Sequence, residues 1–124
     1  MKTRASVLVI DDEVEYVEML RIRLEDAGLM TDVATSGQEG LAKAEAGAYD
    51  VILLDLTLGD ISGFLVLQRL RASPATRHTP VIILSARSDS KAIMQTQEAG
   101  ATDYIIKSED SATLVTTVRR HLSR

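Results

Sequence analysis

Four short apolar runs, rich in Val and Ile, each end on their C-terminal side in a polar or charged residue, and this pattern limits the fold more than any other feature. They are Val7-Leu8-Val9-Ile10 before Asp11-Asp12, Val51-Ile52-Leu53-Leu54 before Asp55, Val81-Ile82-Ile83-Leu84 before Ser85, and Tyr104-Ile105-Ile106 before Lys107. Runs of this length, apolar on both faces, are expected as strands of a parallel sheet covered by helices on either side. Parallel strands place all their C-terminal ends along one edge, and open α/β sheets bind ligands outside that edge. Three acids, a hydroxyl and an ammonium that are distant in sequence are therefore expected to meet in one crevice.

Size and composition agree with an α/β domain. The chain has 124 residues, about one domain's length, so a single domain over 1–124 with one core region is expected. It has no cysteine, which excludes a disulfide framework and a thiolate metal site and makes a reducing cytoplasm the natural compartment. No apolar run approaches the roughly 20 residues that span a bilayer, and Met1-Lys2-Thr3-Arg4 leads into a run too short for a signal-peptide core. A soluble protein without a membrane partner is expected. The formal net charge of −4 disfavours direct contact with nucleic acid, which draws on clustered Lys and Arg.

The remaining segments read as helices between strands, giving five strand–helix repeats. From Glu13 to Ala27 the residues Val14, Val17, Leu20, Leu24 and Ala27 fall on one helical stripe, with Gly28 as the C-terminal cap. A short strand over Met30 to Ala34 follows, and Ser36 with Glu39 forms a capping box opening a helix that ends near Gly47. Asp55 leads into a loop, Leu56 to Ser62, a candidate site wall where Gly59 and Gly63 allow unusual backbone angles before a helix over roughly Phe64 to Arg71. Pro80 starts the fourth apolar run, Ser88 or Asp89 caps the next helix, and Gly100 ends it. The last helix is expected from Ser111 to Leu122 with Leu114, Val115, Val118 and Leu122 inward.

Three carboxylates in one pocket repel, so either one holds a proton or a cation neutralises them. With oxygen ligands only, and no histidine at these strand ends, a hard ion is implied, and Mg2+ held by a few carboxylates plus waters fits best. Asp55 stands alone at its strand end and suits an acyl nucleophile towards a phosphoryl donor, while the Asp11-Asp12 pair holds the ion. Lys107 then faces the transferring oxygens as a point charge and the Ser85 hydroxyl donates to another. The product of such a site is an aspartyl phosphate.

Along its whole length the chain resembles response regulator receiver domains. The resemblance rests on Asp11-Asp12, on Asp55 with Gly63 eight residues on, on Ser85-Ala86, and on the run from Gly100 through Asp103 and Tyr104 to Lys107. It implies a flavodoxin-like (βα)5 doubly wound sheet of five parallel strands in the order 2-1-3-4-5. It further implies that Asp55 is phosphorylated from a phosphohistidine on a histidine kinase or histidine phosphotransfer protein, and that Mg2+ lies on Asp11, Asp12, Asp55 and the backbone carbonyl of Thr57. Ser85 and Tyr104 are implied as coupled switch residues, and the side chains of Thr57 and Arg87 as positions that tune self-dephosphorylation. A downstream effector would read the face made by the fourth helix, fifth strand and fifth helix. A homodimer through that face is compatible with the sequence, although no exposed apolar stripe demands one.

Two positions depart from the family pattern. Ser108 follows Lys107 where proline with a cis bond is usual, and since a cis bond before another residue costs about 2.5 to 4 kcal/mol, a trans bond and a re-aimed loop are expected. Gly59 stands where proline is frequent, which implies a more mobile loop. Singly, each site residue has an ordinary explanation: acids start helices, Asp55 suits a turn, Ser85 a cap, Lys107 a solvated charge, and Tyr104 a half-buried strand position. Only their joint placement argues for chemistry. His78 and His121 read as solvated bystanders, and Arg119, Arg120 and Arg124 as complements of the last helix dipole. Two other classes compete: a receiver-like interaction module that does not respond to phosphate, and a phosphatase of the haloacid dehalogenase type. The second needs an acid two residues after the nucleophile, and Thr57 stands there, so turnover of outside substrates is not expected.

Overall fold

The computed structural model describes residues 4–122. Ten elements alternate along the chain: β1 (Ser6–Ile10), α1 (Val14–Asp26), β2 (Met30–Ala34), α2 (Gly37–Ala46), β3 (Val51–Asp55), α3 (Gly63–Ala72), β4 (Val81–Ser85), α4 (Ser90–Glu98), β5 (Asp103–Ile106) and α5 (Ser111–Arg120). The strands form one parallel sheet in the order β2-β1-β3-β4-β5, as the family resemblance implied. Residues alternate across a strand, and β1 divides accordingly: Val7 and Val9 face α1 and α5 in one apolar cluster with Leu20, Leu24, Leu114 and Val118. Leu8 and Ile10 face α2 and α3 in the other, with Ala44, Val66, Leu67 and Leu70. The residues of β3 and β4 are all buried, which is why these strands read as unbroken apolar runs rather than alternating ones. Among the described residues no helix is long and apolar enough to cross a membrane.

The helix boundaries follow local chemistry. Gly28 and Gly100, with φ of 87° and 103°, take the left-handed conformation that ends α1 and α4. The N-caps of α2, α3, α4 and α5 are Ser36, Ser62, Asp89 and Asp110, each accepting a backbone N–H of the first turn. Of the two cap candidates for α4, the cap is therefore Asp89. At α2 the box closes differently from the expected one: Ser36 Oγ accepts from Glu39 N at 3.1 Å, but Glu39 Oε1 accepts from Thr35 N, not from the cap residue itself.

Other expectations are corrected. Val14 is 72% exposed, because the first turn of α1 lies beside the open edge of the sheet and not over it. Gly59 and Gly63 do not have positive φ. Gly63 instead marks a close approach, since a Cβ there would lie 2.4 Å from the carbonyl oxygen of Asp55 and 2.6 Å from Leu56 Cα. Among the described residues no peptide bond is cis, so the Lys107–Ser108 bond is trans as expected. α5 ends at Arg120, with Leu122 packed against the α1 side of the core just beyond it. Arg124 lies outside the described residues.

Candidate functional site

Sheet register brings the strand ends together. Asp55 pairs with Leu84 and Ser85 pairs with Ile106, so Asp55, Ser85 and Lys107 step along the C-terminal edge of adjacent strands. Asp11 follows the last residue of β1 on the other side of β3. Asp11, Asp12 and Asp55 each offer a carboxylate oxygen, and these oxygens lie within 4.8 Å of one another. Asp11 is fully buried and Asp55 is 4% exposed, whereas Asp12 faces solvent. Asp12 and Asp55, with Glu13, border a cleft of about 420 Å3 whose other walls are Thr57, Leu58, Gly59, Ala86 and Lys107, and Asp11 lies buried behind them. A larger hollow of about 510 Å3 beside Met30, Thr31 and Tyr49 lies at the opposite end of the sheet and holds no comparable acid cluster among the described residues.

Lys107 is the hub of the charges. Its Nζ lies 2.9 Å from Asp11 Oδ2 and 3.6 Å from Asp55 Oδ2, pairs with Glu13, and stands 4.7 Å from the Tyr16 ring centroid, within cation–π range. Burial alone would pull the ammonium down, but its bonds to Asp11 and Glu13 and the charge of Asp55 hold it above its ordinary value. Asp55 moves the unusual way for an acid beside a lysine: burial first, and the Asp11 charge second, push it up to about 6 despite Lys107 and the Thr57 N–H. Burial also pushes Tyr16 up to about 12. One more cation is thus what this pocket lacks electrostatically. An all-oxygen donor set, with Asp11 Oδ2 buried and without a well-aligned hydrogen bond, fits a hard divalent ion such as Mg2+.

Ser85 is 2% exposed, and its Oγ accepts from Arg87 N at 3.0 Å, leaving its proton free for a ligand oxygen. The Tyr104 ring is half-buried against the α3 side of the core, and its hydroxyl donates to the Arg87 carbonyl at 2.8 Å. Both Ser85 and Tyr104 thus touch the same segment after β4. The Arg87 side chain is bound to Asp89 by two contacts of 3.1 and 3.0 Å at the start of α4. Thr57 N donates to Asp55 Oδ1 at 3.3 Å.

Sequence reading missed Glu13, Tyr16 and Asp60. Glu13 and Tyr16 reach Lys107 from α1 and the turn before it, and Asp60 accepts from Gly37 N and Gln38 N of α2 at 2.8 and 2.9 Å. Only the acidic run Asp11-Asp12-Glu13 hinted at the first. His121 is no bystander, since its Nε2 lies 2.9 Å from Asp103 Oδ2. Arg119 caps α1 by donating to the Ala27 carbonyl at 2.7 Å, a role beyond complementing its own helix.

Comparison with known proteins accords with this geometry. The family model for the response regulator receiver domain matches residues 7–119. The transcriptional activator protein IrlR of Burkholderia pseudomallei is 39% identical over 118 residues, which are 95% of this chain and 50% of that protein. Response regulator ArlR of Staphylococcus saprophyticus is 34% identical over 118 residues, covering 95% of this chain and 52% of that protein. The chain spans about half the length of the curated relatives it matches. The solved chemotaxis protein CheY4 of Vibrio cholerae superposes with a TM-score of 0.91 at 30% identity over 97% of this chain and all of that one. With a sheet, a strand-end acid cluster and a sequence that all agree, the chain belongs to the receiver domains of two-component response regulators.

Proposed function

We propose that this chain is a Mg2+-dependent phosphoacceptor switch, carried by one observation above the rest: the Asp55 carboxylate is buried beside Asp11 and within reach of Lys107. An Asp55 oxygen attacks the phosphorus of a phosphohistidine on a histidine kinase or phosphotransfer protein. The nitrogen–phosphorus bond breaks, the imidazole keeps the electron pair and takes up a proton, and an acyl phosphate forms on Asp55. Lys107 and the Ser85 hydroxyl hold two of the phosphoryl oxygens. Asp11, Asp12 and Asp55, with the Thr57 carbonyl, are the groups that would hold Mg2+, which supplies charge neutralisation for the carboxylates and the phosphoryl group. Water later cleaves the acyl phosphate, so the domain's chemistry is confined to its own aspartate.

The Ser85 hydroxyl is the group that moves towards the phosphoryl oxygens. Tyr104, tied to the Arg87 carbonyl in the same segment, turns inward with it, and the face of α4, β5 and α5 changes what it presents to an effector. Thr57 at the cleft wall, and Arg87 beside it, are the positions that set access for the hydrolytic water. The name of IrlR, of which this chain spans half, supports an effector function outside the matched residues, while the net charge of −4 argues against these residues touching DNA themselves; we place the protein in the cytoplasm. A phosphate-blind interaction module has the intact set Asp11, Asp12, Asp55, Ser85 and Lys107 against it.

Intact mass after brief incubation with acetyl phosphate tests the proposal. One phosphoryl adduct is expected on wild type with Mg2+, and none on Asp55→Asn or without the metal. Absence of an adduct together with no binding of beryllium fluoride would sink the phosphoacceptor reading and favour the interaction module.

A further inference from the structure

The loop 56–62 forms one wall of the cleft, and Gly59 gives its backbone no stiffness. Contacts at its base and at its apex hold it. At its base Gly63 N donates to the Leu56 carbonyl at 3.0 Å. At its apex Asp60 reaches across to the start of α2, Oδ1 accepting from Gly37 N at 2.8 Å and Oδ2 from Gln38 N at 2.9 Å. These are two of the N–H groups that the helix itself leaves unpaired, at its positive end, where a carboxylate is favoured. The neighbouring Ile61 packs so closely on Gly37 that a Cβ there would lie 2.5 Å from Ile61 Cγ1. On the cleft side, a Cβ at Gly59 would come within 3.3 Å of Asp12 Oδ2. Residues 59–61 are therefore held between Asp12 and the first turn of α2, although Asp60 itself does not line the cleft.

We propose that Asp60 is a positioning residue: by clamping the loop apex to the first turn of α2, it keeps Gly59 against Asp12 and Thr57 beside Asp55, and so sets the affinity of the acid cluster for a divalent cation. This deepens the phosphoacceptor reading and rests on it. The clamp spans more than twenty residues of sequence, so it couples an otherwise remote helix start to the site. Groups of this kind, one step removed from a metal, typically change its affinity by about 10 to 100-fold when removed.

Mg2+ titration by calorimetry, with amide hydrogen exchange of residues 56–62 in metal-free protein, tests the clamp on wild type, Asp60→Ala, Asp60→Asn and Ser36→Ala. Asp60→Ala is expected to weaken Mg2+ binding about tenfold and to speed exchange in the loop. Asp60→Asn keeps one acceptor oxygen and recovers part of both. Ser36→Ala removes the other cap of the same helix without touching the loop, so it lowers the thermal midpoint yet leaves Mg2+ affinity at the wild-type value. Unchanged affinity in Asp60→Ala, or an equal loss of affinity in Ser36→Ala, would overturn the proposal. A wild type that binds no Mg2+ overturns the metal-site reading and the predicted effect on affinity, and the exchange data then judge the clamp itself: unchanged loop exchange in Asp60→Ala overturns it.

Discussion

Asp55 sits where its charge is least welcome in the absence of a cation, between a fully buried Asp11 and the apolar end of β3. Its native pKa of about 6, raised from 3.8 by burial and then by Asp11, means that the folded protein holds a proton there which the unfolded chain has already lost. Stability therefore falls as pH rises through the window between those two values, and the deficit is complete above it. One unit is worth about 1.4 kcal/mol, so the neutral, nearly isosteric Asp55→Asn is expected to exceed metal-free wild type by about 1 to 3 kcal/mol at neutral pH and to match it at acid pH. Urea midpoints in EDTA on both sides of the window read this, and a variant less stable than wild type throughout would refute it. The charges at strand ends were legible in sequence because each follows an unbroken apolar run. Glu13 and Tyr16 were not, because their approach to Lys107 arises only when the start of α1 is brought beside the end of β5. Gly63 was singled out for the wrong reason: its requirement is space beside the Asp55 carbonyl, not a rare dihedral.

At the opposite edge of the sheet one side chain joins two connections. Arg71, in the last turn of α3, donates from Nε to the Gly100 carbonyl at 2.8 Å, from Nη1 to the Thr79 carbonyl at 2.7 Å, and from Nη2 to Thr102 Oγ1 at 3.3 Å. Thr102 Oγ1 in turn accepts from Val81 N at 3.0 Å. The guanidinium thereby joins the α3–β4 and α4–β5 connections, and burial among these neutral acceptors pulls its pKa down. Hydrogen bonds from a charged donor contribute about 1.5 to 3 kcal/mol net, and partial exposure places the sum of these at the low end. Arg71→Met is expected to lower stability by about 2 kcal/mol, and Arg71→Lys to recover little, since an ammonium lacks the planar fork. Mg2+ affinity should stay at the wild-type value in both, and a loss of metal binding in step with stability would show that this edge and the site are not independent. A guanidinium bridging two connections leaves no local pattern in sequence, whereas the caps Ser36 and Asp89 do, because their partners lie within three residues. The exposed Val14 shows the converse limit: helical periodicity continues past the point where there is a sheet to cover.

For the molecule as a whole, stability and function occupy different places. Two apolar clusters on either face of the sheet supply the cohesion, while the C-terminal edge gathers carboxylates in a protein of net charge −4. Any cation that binds the folded edge but not the unfolded chain must then stabilise the whole fold by linkage, by about 2.7 kcal/mol at a free concentration one hundred times its Kd. Wild type titrated with Mg2+ is expected to show a urea midpoint that rises with the logarithm of metal concentration once past Kd. Asp55→Asn should respond less, and Asp11→Asn less again, because Asp11 is the acid fully withdrawn from water. Because all three acids share one edge, the gain should appear in the global transition and not as separate melting of the loop 56–62. A midpoint insensitive to Mg2+ in wild type, or equally sensitive in all three proteins, would mean that the edge does not use these carboxylates to hold a metal.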